Sequence, residues 1–152
     1  MSRSLTSELQ EGYREVAALL SPEQSLLVEQ ARGRPKVPVG RDRALAEIVA
    51  AYRAGPRELW APVILDLVAP SLLERLQHFE ARPPVLDGED LSQQLVAQLL
   101  HAAATMHVPC DGRHLRRELV GRARKAVSRC LAREHRHLAW HCLLADLDEV
   151  DE

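Results

Sequence analysis

The residues of this chain best placed to do chemistry are charged and amide side chains at the starts of two adjacent helical segments. Asp87-Gly-Glu89-Asp90 runs into Leu91-Ser-Gln93-Gln94-Leu95-Val96. Acids at a helix start are favoured by the positive end of the macrodipole. Gln93 and Gln94, one turn on, can both donate and accept hydrogen bonds. Asp87, Glu89 and Asp90 alone would be ordinary first-turn acids; their continuation into two glutamines adds a polar, hydrogen-bonding surface to the start of the helix. The second segment, Gly112 to Arg136, holds nine Arg or Lys against two acids, Glu118 and Glu134, so it carries +7 in a chain whose net charge is −2. Charge segregated in this way marks a helix kept for a polyanion or an acidic partner. Arg117, Arg122, Arg124, Lys125 and Arg129 are its candidate DNA phosphate contacts, and such contacts position nucleic acid without reading it. No aromatic residues interleave with them, which argues against a strong independent single-strand site.

Other chemistry is sparse. Cys130, His135, His137, His141 and Cys142 cluster late, with His107, Cys110 and His114 across the preceding turn. His137 and His141 are four apart and could share a metal, but the spacing matches no familiar zinc pattern. The expectation is no bound metal and no cofactor, with Cys110 and Cys130 as buried apolar residues. No Ser-His-Asp set, phosphate-binding glycine loop or paired carboxylates occur, so an enzyme is not expected.

The elements that must hold these groups are helices. Of 152 residues, 46% are hydrophobic and 28% charged, which is a globular balance. Leu, Ala and Val dominate and only five residues are aromatic, so the chain is expected to be all-α. Three widely spaced cysteines suit reduced thiols. The N-terminus lacks an apolar signal core, and Asp66 and Pro70 interrupt the best membrane-span candidate, so a cytoplasmic protein without membrane contact is expected.

Along the chain, Thr6 or Ser7 can cap a first helix reaching Leu20. Ser21-Pro22-Glu23-Gln24 forms a capping box with Pro at the first helical position, opening a second helix that ends near Gly33. Residues 34–40 read as a loop or linker, which makes 1–40 a helical hairpin extension. Asp42 can cap a third helix through Ala54. Residues 57–81 are apolar almost all round and should form the buried centre, with a kink or break near Ala69 imposed by Pro62 and Pro70. A fifth helix runs from Gly88 to Met106. The basic helix follows, burying Leu115, Leu119, Ala123, Ala126, Val127, Cys130 and Leu131. A separate apolar piece from Leu138 to Leu147 and an acidic tail from Asp146 close the chain; that tail could compete for the basic helix. The domain reading is therefore 1–40, 41–137 and 138–152.

The string from Asp87 to Gln94, with the Arg-rich helix after it, resembles region 2 of the sigma-70 family of bacterial transcription initiation factors. In that family a D-x-E-D-[LV]-x-Q-[ED] string opens the helix that grips the clamp helices of the RNA polymerase β′ subunit, and the next helix reads and opens the promoter −10 element. Leu59-Trp60-x-x-Val63 to Pro70-x-Leu72-Leu73 also looks like the family's preceding helix, so the resemblance covers about residues 42–136. It implies a region-2-like multi-helix bundle, with core-polymerase contact through Asp87, Glu89, Asp90, Gln93 and Gln94. Three departures stand out. Gln94 replaces the usual Glu. Aligning Leu119-Val-Gly-Arg122-Ala123-Arg124-Lys125 with the family's W-L-x-x-I-A-R-N puts Glu118 at the stacking tryptophan and Lys125 at the asparagine. No second helix-turn-helix domain follows.

Two functions from different classes result. One is a transcription initiation or regulatory protein that binds the RNA polymerase core and contacts promoter DNA weakly. The other is a helical protein-interaction module on a degenerate sigma-like scaffold, binding a partner regulator or forming a homodimer.

Overall fold

Six helices carry the described chain: α1 Leu5–Ala17, α2 Pro22–Arg32, α3 Pro38–Ala54, α4 Arg57–Glu80, α5 Gly88–Thr105 and α6 Leu115–Val150. The computed structural model describes residues 4–33, 38–80, 88–109 and 112–150, with backbone alone at 38–39, 75–80, 88–89 and 148–150. No strand occurs among them, and the fold is an all-α bundle.

Helix α2 forms as its sequence dictates. Ser21 Oγ accepts from the Gln24 N–H at 3.1 Å, and Gln24 Oε1 accepts from the Ser21 N–H at 2.9 Å. Gly33 closes it at φ 54°, a value disfavoured for residues with a Cβ. Helix α1 begins earlier than expected, with Ser4 as its cap, and ends at Ala17. The N–H groups of Leu19 and Leu20 then bond three residues back, to Val16 and Ala17, tightening the last turn.

Helix α3 corrects the sequence reading at its start. It opens at Pro38 rather than after Asp42, so the supposed linker is helical from Pro38 onward. Proline at the first helical position loses no intrahelical bond, because that N–H has no partner in any case. Helix α4 is also continuous: both Pro62 and Pro70 lie inside it, and no break falls near Ala69. Pro70 is exposed, where water can serve the carbonyl it leaves unbonded, and fully buried Val63, Ile64, Val68 and Leu72 hold the helix to the core on either side. Each internal proline costs about 3 kcal/mol, which the burial of four such side chains, at roughly 1.5–3 kcal/mol each, offsets.

Helix α4 is the centre, touching each of the other five helices. Around it pack Leu45, Ile48 and Val49 of α3, Leu95 and Leu99 of α5, and Leu115 and Leu119 of α6, all fully buried. The N-terminal hairpin shares this core: Leu9, Val28 and Ala31 are buried in the same cluster. Asp66 of α4 accepts a hydrogen bond and ion pair from Arg32 of α2. The Arg32 guanidinium also lies over the Tyr13 ring, 4.6 Å from its centroid. Burial works against the Arg32 charge, but hydrogen bonds to Tyr13 and Asp66 outweigh it and raise its pKa above the ordinary arginine value.

Helix α6 runs 36 residues without interruption through position 138, where the sequence suggests a new piece. Between Gly121 and Val150 there is neither glycine nor proline, and Ala, Leu and Arg favour continuation. Its first half is packed into the bundle; from Ala132 to Leu147 every side chain is exposed. Among the described residues no helix is long and apolar enough to cross a membrane.

Candidate interaction surface on α5 and α6

The two charged segments lie on helices that pack on each other, α5 and α6. Leu91, Leu95, Leu99 and Ala103 form the buried stripe of α5, and Leu115, Leu119, Ala123 and Val127 that of α6. Val96 and Leu100 on α5, and Ala126, Cys130 and Leu131 on α6, are half-buried rather than fully inside. The far end of α5 is fixed from α3. Arg53 donates from Nε to the Ala103 carbonyl oxygen at 2.8 Å and from a second nitrogen to the Met106 carbonyl. These are C-terminal carbonyls without a helical donor, and a cation there is also favoured by the dipole.

At the start of α5, Asp90 and Gln93 are exposed one turn apart, as a contact surface needs. Gln94 is half-buried, so only part of its amide reaches solvent. Asp87 and the Glu89 side chain lie outside the described residues.

On α6 the basic residues divide by depth and direction. Arg122, Lys125 and Arg129 are exposed and recur every three or four residues, so they share one face, away from the buried stripe. Glu118 is exposed four residues before Arg122 and opens the same face. Arg117 is exposed near the helix start, and Arg124 is half-buried on another side. Arg117 and Arg124 therefore do not share the surface of the other three.

Arg117 lines an open cleft of about 320 Å³ with Arg41, Asp42, Ser71, Glu74, His114, Arg116 and Val120. Arg116 is a residue that sequence reasoning did not single out. It donates to the Ala31 carbonyl at 3.1 Å, while its buried Nε has no partner among the described residues. Burial, followed by repulsion from Arg41, lowers its pKa below the ordinary arginine value against the pull of Asp42. Only the adjacency of Arg116 and Arg117 hints at this in sequence; the convergence with Arg41 is tertiary. The loop before α6 is held by close backbone approach: a Cβ at Gly112 would stand 2.2 Å from the Asp42 carbonyl oxygen.

The late histidines do converge in part. Nε2 of His137 and Nε2 of His141 are 2.9 Å apart, with the rings edge to face. Cys142 is exposed and Cys130 half-buried, so Cys130 is not the fully buried apolar residue its sequence suggested. Cys110 lies outside the described residues. No group of three or more metal-ligating side chains gathers among the described residues.

Compared with protein-family models, curated proteins and solved structures, the chain gives no match.

Proposed function

We propose that this chain is a sigma-factor-like transcription protein that binds the RNA polymerase core through the start of α5 and contacts promoter DNA weakly through α6. The observation that carries the reading is the exposed pair Asp90 and Gln93, at the start of a helix packed against the basic helix α6. An exposed acid and amide one turn apart can bind a basic helix of the β′ clamp by charge-assisted hydrogen bonds. The role is binding rather than catalysis, and such a partner would place the protein in the cytoplasm. A pull-down of the tagged chain from cell extract, probed for polymerase subunits, tests the reading directly. Replacing Asp90 and Gln93 with Ala should then weaken core binding by about 1–3 kcal/mol. Unchanged core binding by the folded double variant would remove this surface from consideration.

A second reading has its own observation. Glu118 is exposed at the position where the resemblance calls for a stacking tryptophan, and Lys125 is exposed at that of the asparagine. Neither side chain stacks an unpaired base, so promoter opening is the part of the family role with least support. A helical interaction module that keeps the scaffold and binds a partner protein is the alternative.

A further inference from the structure

The cleft at the start of α6 gathers positive charge that the fold does not neutralise. Arg41 comes from α3, Arg116 and Arg117 from the first turn of α6, and α4 adds Ser71 and Glu74 to the lining. Three contacts fix the arginines there. The Arg41 stem lies against Gly33, where an added Cβ would stand 2.7 Å from its Cδ. Arg116 is tied to the end of α2 through the Ala31 carbonyl. The close approach of Gly112 to the Asp42 backbone holds the start of α6 against α3. Asp42 and Glu74 reach the cleft, but among the described residues no ion pair joins either acid to these three arginines. Arg116 is half-buried, and repulsion from Arg41 outweighs the attraction of Asp42. A partly desolvated cation whose charged neighbours repel it on balance is costly unless an anion joins it.

We propose that this cleft is a binding site for one phosphate group, held by the guanidiniums of Arg41, Arg116 and Arg117 at the N-terminus of α6. The first-turn N–H groups of Arg116 and Arg117 have no helical acceptor, and the dipole there also favours negative charge. Guanidiniums present planar forks of donors that match phosphate oxygens. A tetrahedral phosphate offers oxygens to donors arriving from α3 and α6 at once, whereas a carboxylate has only two, in one plane. The Ser71 hydroxyl supplies a further neutral donor. At about 320 Å³ and open to solvent, the cleft admits the group with part of its hydration. Asp42 and Glu74 oppose the charge, which keeps the affinity weak, in the millimolar range for the free ion. The inference goes beyond the transcriptional reading and does not rest on it, because Arg41 and Arg116 take no part in the core or DNA contacts assigned above.

Amide spectra of the nitrogen-labelled full chain, titrated with inorganic phosphate and with sodium chloride at matched ionic strength, test it. Phosphate should shift the backbone amides of Arg116 and Arg117 saturably, and chloride should not. Arg41→Gln and Arg117→Gln leave the bond from Arg116 to Ala31 in place, and each should weaken phosphate binding about tenfold. Glu74→Gln, at an exposed position, should tighten it by about twofold or more. Circular dichroism checks that every variant keeps its helicity. Further titrations with adenosine monophosphate and with a short DNA duplex separate the sources of the group. Tighter binding of the nucleotide at the same amides points to a free nucleotide, tighter binding of the duplex to the DNA backbone, and no gain from either to the free ion. The Asp90 and Gln93 double variant should bind phosphate like wild type, whatever its effect on polymerase. Phosphate shifts no larger than those of chloride, or shifts that survive both arginine substitutions unchanged, would overturn the site.

Discussion

Arg53 of α3 donates its Nε hydrogen to the carbonyl oxygen of Ala103 in the last turn of α5, fifty residues away, at 2.8 Å. Its second bond, to Met106, holds the chain as it leaves that helix. One side chain therefore closes a helix end and fixes the approach to α6. Arg53→Ala should lower stability by about 1–2 kcal/mol, because two carbonyls lose a charged donor while water replaces it only in part. Arg53→Lys should recover less than half of that, since an ammonium cannot span both acceptors with a planar fork. Urea unfolding of the three proteins gives the comparison.

Gly112 and Gly121 should respond oppositely to alanine. Gly112 has φ 66° and its Cβ would meet the Asp42 backbone, which has no flexible end to move aside. Gly112→Ala should cost at least about 2 kcal/mol. Gly121 sits inside α6 with nothing within 4 Å of an added Cβ. Gly121→Ala should stabilise the chain by about 0.5–1 kcal/mol, the difference in helix-interior cost between the two residues. Thermal unfolding distinguishes the two; equal effects would contradict the placement of these backbones.

The Arg32–Asp66 pair should show coupling in a double-mutant cycle. The Asp66 side chain is 9% exposed and that of Arg32 36%, so the pair is neither a surface ion pair nor a fully dry one. Arg32→Ala and Asp66→Asn are each expected to destabilise, with a coupling of roughly 1–2 kcal/mol, discounted from a buried pair because Arg32 keeps contact with water. Arg32→Ala should cost more than the coupling alone, since it also removes the contact over Tyr13. A coupling near zero would make the pair incidental to how α2 docks.

Local chemistry was legible in the sequence where one residue settles it. Ser21, Pro22 and Gln24 form the capping box their spacing predicts, and the apolar runs mark α4 as the centre. Where two local rules compete, the pattern misleads. Pro38 reads as a loop residue but also suits a first helical turn; Pro62 and Pro70 read as a kink or a break, and of the two the break does not occur. The end of α6 was hidden for a different reason: the switch from buried to exposed surroundings at Ala132 changes no propensity. The candidate surface was legible as far as amphipathic spacing reaches, which includes the exposure of Asp90, Gln93, Arg122, Lys125 and Arg129. Arg53 and Arg116 were not, because their partners are fifty and eighty-five residues away.

DNA binding by α6 should be weak, tolerant of sequence and governed by phosphate. Arg122, Lys125 and Arg129 make one exposed row, with Arg117 nearer the helix start and Arg124 partly withdrawn. If about four or five phosphates are neutralised, log K should fall against log salt with a slope of about −3 to −5. Glu118 stands on the same face as the row and opposes it, so Glu118→Arg should tighten binding and steepen that slope by about 1. The acidic end, by contrast, should not compete within its own chain. A continuous helix sets Asp146 about 25 Å beyond Arg129, well outside a screening length of about 8–10 Å in ordinary salt. Deleting 146–152 should therefore leave the affinity for DNA unchanged, which differs from what the sequence alone suggests. Fluorescence anisotropy with duplexes carrying or lacking a −10-like sequence measures all three effects. Tight binding to one sequence, insensitive to salt, would show base readout by side chains that lack aromatic or amide groups to perform it. A gain in affinity on deleting the tail would mean that α6 bends or opens beyond Arg129, contrary to its unbroken helical course.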